Sequence, residues 1–77
     1  MWLLISISLL TPTDPTLTGV KEFSSSQQCF KTLSNYQTTL IKIGIDARYE
    51  LDENLNSRVA YFDHAGIAGV HYCTKAP

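Results

Sequence analysis

A single amphipathic-helix pattern, flanked on both sides by alternating apolar residues, constrains this chain of 77 residues most. One apolar stripe recurs at helical spacing and is formed by Cys29, Leu33, Tyr36 and Leu40. Serines stand directly before it, and either Ser24 with Gln27 or Ser25 with Gln28 fits the S-x-x-Q capping box. The pattern predicts one helix of about four turns, from Ser25 to Leu40, packed through that stripe.

Period-two alternation predicts strands before and after this helix. Residues 1–10 and 16–23 are predicted to form a hairpin around the Thr/Pro turn of residues 11–16, with Gly19 as a weak point or bulge. After the helix, apolar and charged residues alternate from Ile41 to Leu51, although the first of them compete with the helix end. The remaining segments are a polar turn at 52–57, a strand at 58–63, a glycine-containing connection at 64–69 and a strand at 70–75.

The opening stretch MWLLISISLL allows three interpretations. It is apolar enough for an export signal or a membrane-surface anchor, but no Lys or Arg precedes the run and no small-x-small cleavage pattern follows it. A strand fits better, because Leu3, Ile5, Ile7 and Leu9 form one wholly aliphatic face. We expect that face to be buried, and the half-polar face headed by Trp2 to be left for a partner.

These elements predict a single small α+β domain over residues 1–77, built in two layers. The helix packs on one face of an antiparallel sheet of four to five strands, in the order ββαββ or ββαβββ. Cys29 lies on the helix stripe, and Cys73 lies in the last strand on the same face as His71 and Lys75. A disulfide between the two cysteines would staple helix to sheet and stabilise the domain by about 4 kcal/mol. Two reduced, buried thiols are the alternative.

The charge of the chain argues against nucleic acid as a partner. Six basic and seven acidic residues are scattered along it, for a net charge of −1. Neutralising phosphates requires a concentrated basic face, which this sequence lacks. The apolar run at the start is half the roughly 20 residues that a membrane-spanning helix needs. We therefore expect no nucleic-acid partner and no membrane span.

The sequence contains no motif that points to catalysis or to a cofactor. Asp63, His64 and His71 are residue types that bind metals, but Asp63 and His64 are sequential and would point to opposite faces of a strand. Serines and threonines are numerous, yet neither a nucleophile elbow nor a phosphate-binding glycine loop accompanies them. The paired acids Asp52 and Glu53 fall in a predicted turn, where solvated charges are expected. We predict a protein that is no enzyme and holds neither metal nor cofactor.

Aromatic side chains give the clearest indication of binding. Trp2, Tyr61 and Tyr72 lie on predicted strands, where they either pack in the core or face a protein partner. A domain this small has difficulty burying both faces of its sheet, so these three residues are interface candidates. Unpaired strand edges offer a second contact, through which a homo-oligomer could form.

Three segments together resemble small uncharacterised proteins of phage and bacterial genomes: the opening MWLLISISLL, the helix entry EFSSSQQC and the terminal HYCTK. The resemblance spans the whole chain but brings no catalytic residue with it. It implies a phage-encoded accessory or virion-associated protein.

The function expected from these observations is a non-enzymatic protein-binding accessory, such as a decoration, cement or tail-associated subunit of a virus particle. A soluble inhibitor or regulator of a host protein is the alternative, although the chain lacks the acidic excess of inhibitors that mimic nucleic acid. A small exported or membrane-peripheral disulfide domain is a third. The expected partner is a virion subunit or a host protein, and the expected location is the virion or the host cytoplasm.

Overall fold

The computed structural model describes residues 1–9, 14–51 and 57–77. Within them, the elements in chain order are β1 (Trp2–Leu9), β2 (Pro15–Phe23), α1 (Ser26–Lys42), β3 (Asp46–Leu51), β4 (Ser57–Asp63) and β5 (Gly66–Lys75). The five strands form one antiparallel sheet in the spatial order β2-β1-β5-β4-β3. Helix α1 packs against one face of that sheet. The predicted two-layer α+β fold is confirmed, with the order ββαβββ.

The path of the helix follows from the two strands that it connects. β2 and β3 lie at opposite edges of the sheet, so α1 has to cross it. Its 17 residues span about 25 Å. Four spacings between neighbouring strands make the sheet about 19 Å wide. One crossing helix is therefore long enough to reach across one face from edge to edge, and the other face receives no helix from the described residues.

The start of α1 is set by a local cap, as the sequence predicts. Ser25 has an extended backbone, and its Oγ accepts a hydrogen bond from the backbone N–H of Gln28 at 3.3 Å. Ser24 Oγ in turn donates to Gln28 Oε1 at 3.0 Å. Of the two capping pairs that the sequence allows, Ser25 with Gln28 is the one that forms the N-cap bond, while the Gln28 side chain contacts Ser24 in place of the Ser25 backbone.

The end of α1 differs from the prediction. The helix continues two residues past Leu40, and the strand predicted from Ile41 begins only at Asp46. The backbone N–H of Ile45 donates to the carbonyl of Leu40 at 2.9 Å, and that of Gly44 donates to the carbonyl of Ile41 at 3.0 Å. Gly44 has a φ of +88°, the left-handed conformation that closes a Schellman cap. The strand prediction is wrong over residues 41–45, where the alternating isoleucines belong to a helix end.

The last hairpin also corrects the prediction. β5 begins at Gly66, so the predicted connection over 64–69 shrinks to the turn at His64 and Ala65. Asp63 Oδ1 accepts a hydrogen bond from the backbone N–H of Ala65 at 2.8 Å and closes this turn. Gly69 pairs with Tyr61 across the ladder, and a methyl group at Gly69 would overlap the Tyr61 ring. Glycine thus serves strand pairing here, because it lets an aromatic ring lie directly on the backbone.

The first hairpin has the bulge that its sequence predicts. Ser6 pairs with Gly19 and Ile7 pairs with Leu17, which leaves Thr18 as an extra residue in β2. Thr18 Oγ1 donates to the carbonyl oxygen of Ser6 at 3.1 Å. Residues 10–13 and 52–56 lie outside the described residues, and with them lie half of the turn predicted at 11–16, most of the turn predicted at 52–57 and the acids Asp52 and Glu53.

The core lies between the helix and one face of the sheet. Its largest fully buried side chains are Leu4, Leu33, Val59 and Cys29. The helix stripe predicted from the sequence is confirmed, because all four of its residues belong to this cluster or pack against it.

The buried face of β1 is the opposite of the one expected. Leu4 is fully buried under the helix and pairs with Cys73, which also faces the core. By alternation, Leu3 and Ile5 point away from the helix, where they are half-buried. The expectation of a covered aliphatic face is wrong because both faces of β1 are apolar, and its pairing with β5 decides between them.

A disulfide joins the two layers. Cys29 of α1 and Cys73 of β5 are bonded, with their Cα atoms 6.1 Å apart and 44 residues between them in sequence. The predicted link between helix and sheet is confirmed, and no free cysteine remains in the chain. Closing a loop of this length removes conformational entropy from the unfolded chain and stabilises the fold by about 4 kcal/mol.

We predict that Cys73→Ser melts at a clearly lower temperature than the wild type in non-reducing buffer, because the unfolded chain regains the entropy of the open loop. Thermal unfolding followed by circular dichroism, with and without dithiothreitol, measures the difference. In reductant the two proteins should melt at similar temperatures. Equal melting without reductant would show that the disulfide does not contribute to stability.

Candidate functional site

The face of the sheet that points away from α1 is apolar across four strands, and we call it the open face. Ile5 pairs with Val20 on one side and Tyr72 on the other, and Ile7 likewise pairs with Leu17 and Val70. Residues paired in register project from the same side of a sheet. The apolar side chains of the open face are Leu3, Ile5, Ile7, Leu9, Leu17, Val20, Ala60, Phe62, Ile67, Val70 and Tyr72.

The side chains of the open face are partly buried by one another, since they lie side by side on the same sheet. Leu17 and Val20, on the edge strand β2, remain 62% and 48% exposed. Ile5 and Ile7 on β1 are half-buried, although they lie on an inner strand. Among the described elements none lies over this side of the sheet, since α1 occupies the other. A continuous apolar surface of this kind marks a binding site more often than scattered exposed residues do.

A charged rim borders the open face along β3 and β4. Arg48 Nη2 lies 3.1 Å from Asp46 Oδ2, and Arg58 Nε lies 3.4 Å from Glu50 Oε1. The Arg48 guanidinium also lies over the Phe62 ring, 4.5 Å from its centre. Two acids and two bases balance, so the rim carries no net charge. An apolar centre with a polar rim is the usual anatomy of a protein–protein interface.

The helix side contains a second candidate cluster, centred on His71. Ser6 Oγ and His71 Nδ1 are hydrogen-bonded at 2.7 Å. The Tyr36 ring meets the imidazole edge-on at 4.9 Å, and the Tyr61 ring stacks on it at 5.5 Å. Lys21 Nζ lies 5.5 Å from the centre of the Tyr36 ring. These contacts join β1, β2, α1, β4 and β5 around one half-buried imidazole.

The pairing of Ser6 with His71 is the contact closest to a catalytic arrangement. A serine nucleophile needs a base that is itself oriented by a third polar group. Among the described residues, the hydrogen bonds of His71 are limited to Ser6, and its other close neighbours are aromatic rings. The polar contact of this cluster is a cross-strand pair within the sheet, packed between aromatic rings from α1 and β4, and sequence alone does not reveal it.

The residue types that could bind a metal do not gather. Among residues 1–9, 14–51 and 57–77 there is no group of three or more His, Cys, Asp or Glu side chains placed to hold an ion. Asp63 accepts a hydrogen bond within its own turn, and His64 is exposed in that turn. His71 is hydrogen-bonded to Ser6.

The three interface candidates from the sequence fall on different faces. Tyr72 lies on the open face. Trp2 lies on the helix side, where its ring centre is 5.7 Å from that of Phe30, and Tyr61 packs against the core there too. The expectation that the face headed by Trp2 is left for a partner is wrong, because α1 covers it.

Sequence reasoning missed the open face as a site. Two features of the sequence together indicate this face. One is the aliphatic row of Leu3, Ile5, Ile7 and Leu9 on β1, and the other is the presence of a single predicted helix, which can pack on only one face of the sheet. Leu17 and Val20 on β2 and Val70 on β5 repeat the same apolar side at the paired positions.

Comparison with known proteins adds no assignment: no protein-family model, curated protein or solved structure matches this chain. In the described part of the chain, no helix combines the length and the apolar character needed to cross a membrane.

Burial gives His71 a pH-dependent role in stability. Desolvation lowers the pKa of His71 from its ordinary value of 6.5, because the partly buried site disfavours the charged ring. Between the lowered pKa and 6.5, the unfolded chain binds more protons than the folded one. The free energy of unfolding therefore falls as the pH falls through this range.

We predict that the melting temperature of the wild type drops as the pH is lowered from about 7.5 to about 5.5. His71→Gln should reduce this drop, because the titrating group is gone. His64→Gln, in an exposed turn, is the matched control and should keep it. A drop of equal size in all three proteins would assign the pH dependence to other groups.

Proposed function

We propose that this protein is a non-enzymatic binding module that attaches to another protein through the open face. The observation that carries the proposal is the apolar surface spread over β2, β1, β5 and β4, with Leu17 and Val20 prominently exposed. The part of it that spans four strands and seven residue levels measures roughly 400–500 Å². That is the size of the largest apolar patch on typical soluble monomers, which is often functional.

The chemistry of the face favours a protein as its occupant. The rim charges are paired with each other, so they attract neither a polyanion nor a strongly charged peptide. The apolar side chains project from one face of a sheet across four strands, a surface broad enough for a protein to lie against. A folded partner with its own flat apolar surface complements both properties.

The resemblance to phage proteins gives this binding module a biological setting. It implies that the partner is a subunit of a virus particle, and a host protein is the alternative. Binding to either partner requires an apolar surface that stays exposed to solvent after the chain has folded.

A photoreactive benzoyl-phenylalanine placed at Leu17 or at Leu51 tests the proposal in the native source. The two leucines are matched: each lies on an edge strand, and they are 62% and 61% exposed. Leu17 lies on the open face, whereas Leu51 lies on the helix side, two residues beyond Tyr49, which pairs with the core residue Val59.

We expect discrete cross-linked products from position 17 and few or none from position 51. Mass spectrometry of the products then distinguishes a virion subunit, a host protein and a second copy of this chain. Equal cross-linking from both positions, or none from either, would contradict a binding role for the open face.

A further inference from the structure

A twisted sheet face can be complemented by another sheet of the same twist. Two sheets packed face to face align at about −30° and lie about 10 Å apart, with their apolar side chains interdigitated. This chain supplies such a second sheet itself, and its single helix lies on the opposite side, where it cannot interfere.

The available area suits a pair of identical faces. Roughly 400–500 Å² on each copy gives roughly 800–1,000 Å² in total, and the upper end of this range reaches the lower limit for a specific interface. A dimer of this size forms reversibly and depends on protein concentration.

Charge complementarity selects one arrangement of the two copies. Consider a two-fold axis parallel to the strands that passes between β1 and β5. It places β1 over the β5 of the partner and β2 over the β4 of the partner. Ile5 and Ile7 then face Tyr72 and Val70 of the second copy, apolar against apolar.

The same axis pairs opposite charges at the two edges of the interface. Glu22 on β2 is level with Leu3. Arg58 on β4 is level with Tyr72 and therefore with Ile5, so Glu22 and Arg58 are two residues apart along the strand direction, near the same end of the sheet. Stacking β2 on the β4 of the partner brings each Glu22 close to the Arg58 of the other copy, twice by symmetry. There Glu22 adds a second carboxylate beside the Arg58 guanidinium, which already contacts Glu50 of its own chain at 3.4 Å. Asp46 and Arg48 on β3 stay outside the interface, in water.

We propose that the open face binds the open face of a second copy, forming a symmetric two-sheet sandwich with both helices outside. This inference rests on the proposed function and names the partner of the same surface. It replaces the pairing of sheet edges expected from the sequence. β2, an edge strand, carries Pro15, a bulge at Thr18 and Lys21, which are devices that discourage strand addition.

Sedimentation velocity of purified protein over a range of micromolar concentrations tests the sandwich. We expect the wild type to shift from monomer to dimer as its concentration rises. Leu17→Lys should abolish the dimer, while Leu51→Lys should leave it unchanged. Circular dichroism and thermal melts of each variant establish that it is folded.

A charge-exchange experiment tests the proposed orientation. Glu22→Arg and Arg58→Glu each place like charges across the interface, so each should weaken its homodimer by roughly tenfold or more. An equimolar mixture of the two variants restores both ion pairs in a heterodimer, and dimerisation should recover. Recovery on mixing is not expected if the substitutions only damage the fold.

Three results would overturn the inference. The first is a wild type that stays monomeric at every concentration. The second is a dimer insensitive to Leu17→Lys, which would point to edge pairing. The third is a pair of charge variants that fail to recover on mixing. The proposed function is tested separately, because cross-linking from position 17 to a different protein would support it even when the chain does not self-associate.

Discussion

The chain leaves β2 at one edge of the sheet and must reach β3 at the other, and the crossing helix makes the two faces unequal. α1 covers one face and is held there by Leu33 against Leu4 and by the bond from Cys29 to Cys73. The described residues provide no second helix for the other face. The division of the sheet into a covered and an open side is a consequence of this one connection.

The two sides differ in what they can do. On the covered side the polar groups are engaged with one another: Ser6 bonds to His71, and two tyrosine rings enclose the imidazole. That cluster contributes to stability and to its pH dependence. On the open side balanced ion pairs lie along β3 and β4, Glu22 lies at the opposite edge, and the centre is apolar. Binding is the chemistry that such a surface supports.

Local signals in the sequence predicted the parts of the fold that depend on neighbouring residues. The cap at Ser25, the inward stripe that starts at Cys29 and the bulge beside Gly19 belong to this group. The parts that were predicted wrongly have two causes: a long-range pairing decides the buried face of β1, and a local helix cap overrides the alternating pattern at the end of α1. Ile41, Ile43 and Ile45 alternate like a strand. The carbonyls at the end of the helix nevertheless accept hydrogen bonds from the N–H groups of Gly44 and Ile45, so these residues end the helix.

The position of the candidate site depends on which face of β1 is buried, and the sequence of β1 alone does not determine this. β1 is apolar on both faces, so its sequence allowed either Leu4 or Ile5 to be the covered side. The pairing of Leu4 with Cys73, together with the disulfide from Cys73 to the helix, settles the choice. Tyr72 was identified as an interface candidate, while the aliphatic residues around it were assigned to the core.

Solvent accessibility of individual methyl groups is the most direct test that one face is covered and the other open. NMR spectra of dilute, methyl-labelled protein with a soluble paramagnetic agent measure it residue by residue. We expect strong broadening at Ile5, Ile7 and Val20, and sharp signals at Leu4 and Leu33. Broadening of Leu4 as strong as that of Ile5 would show that the helix does not cover the face assigned to it.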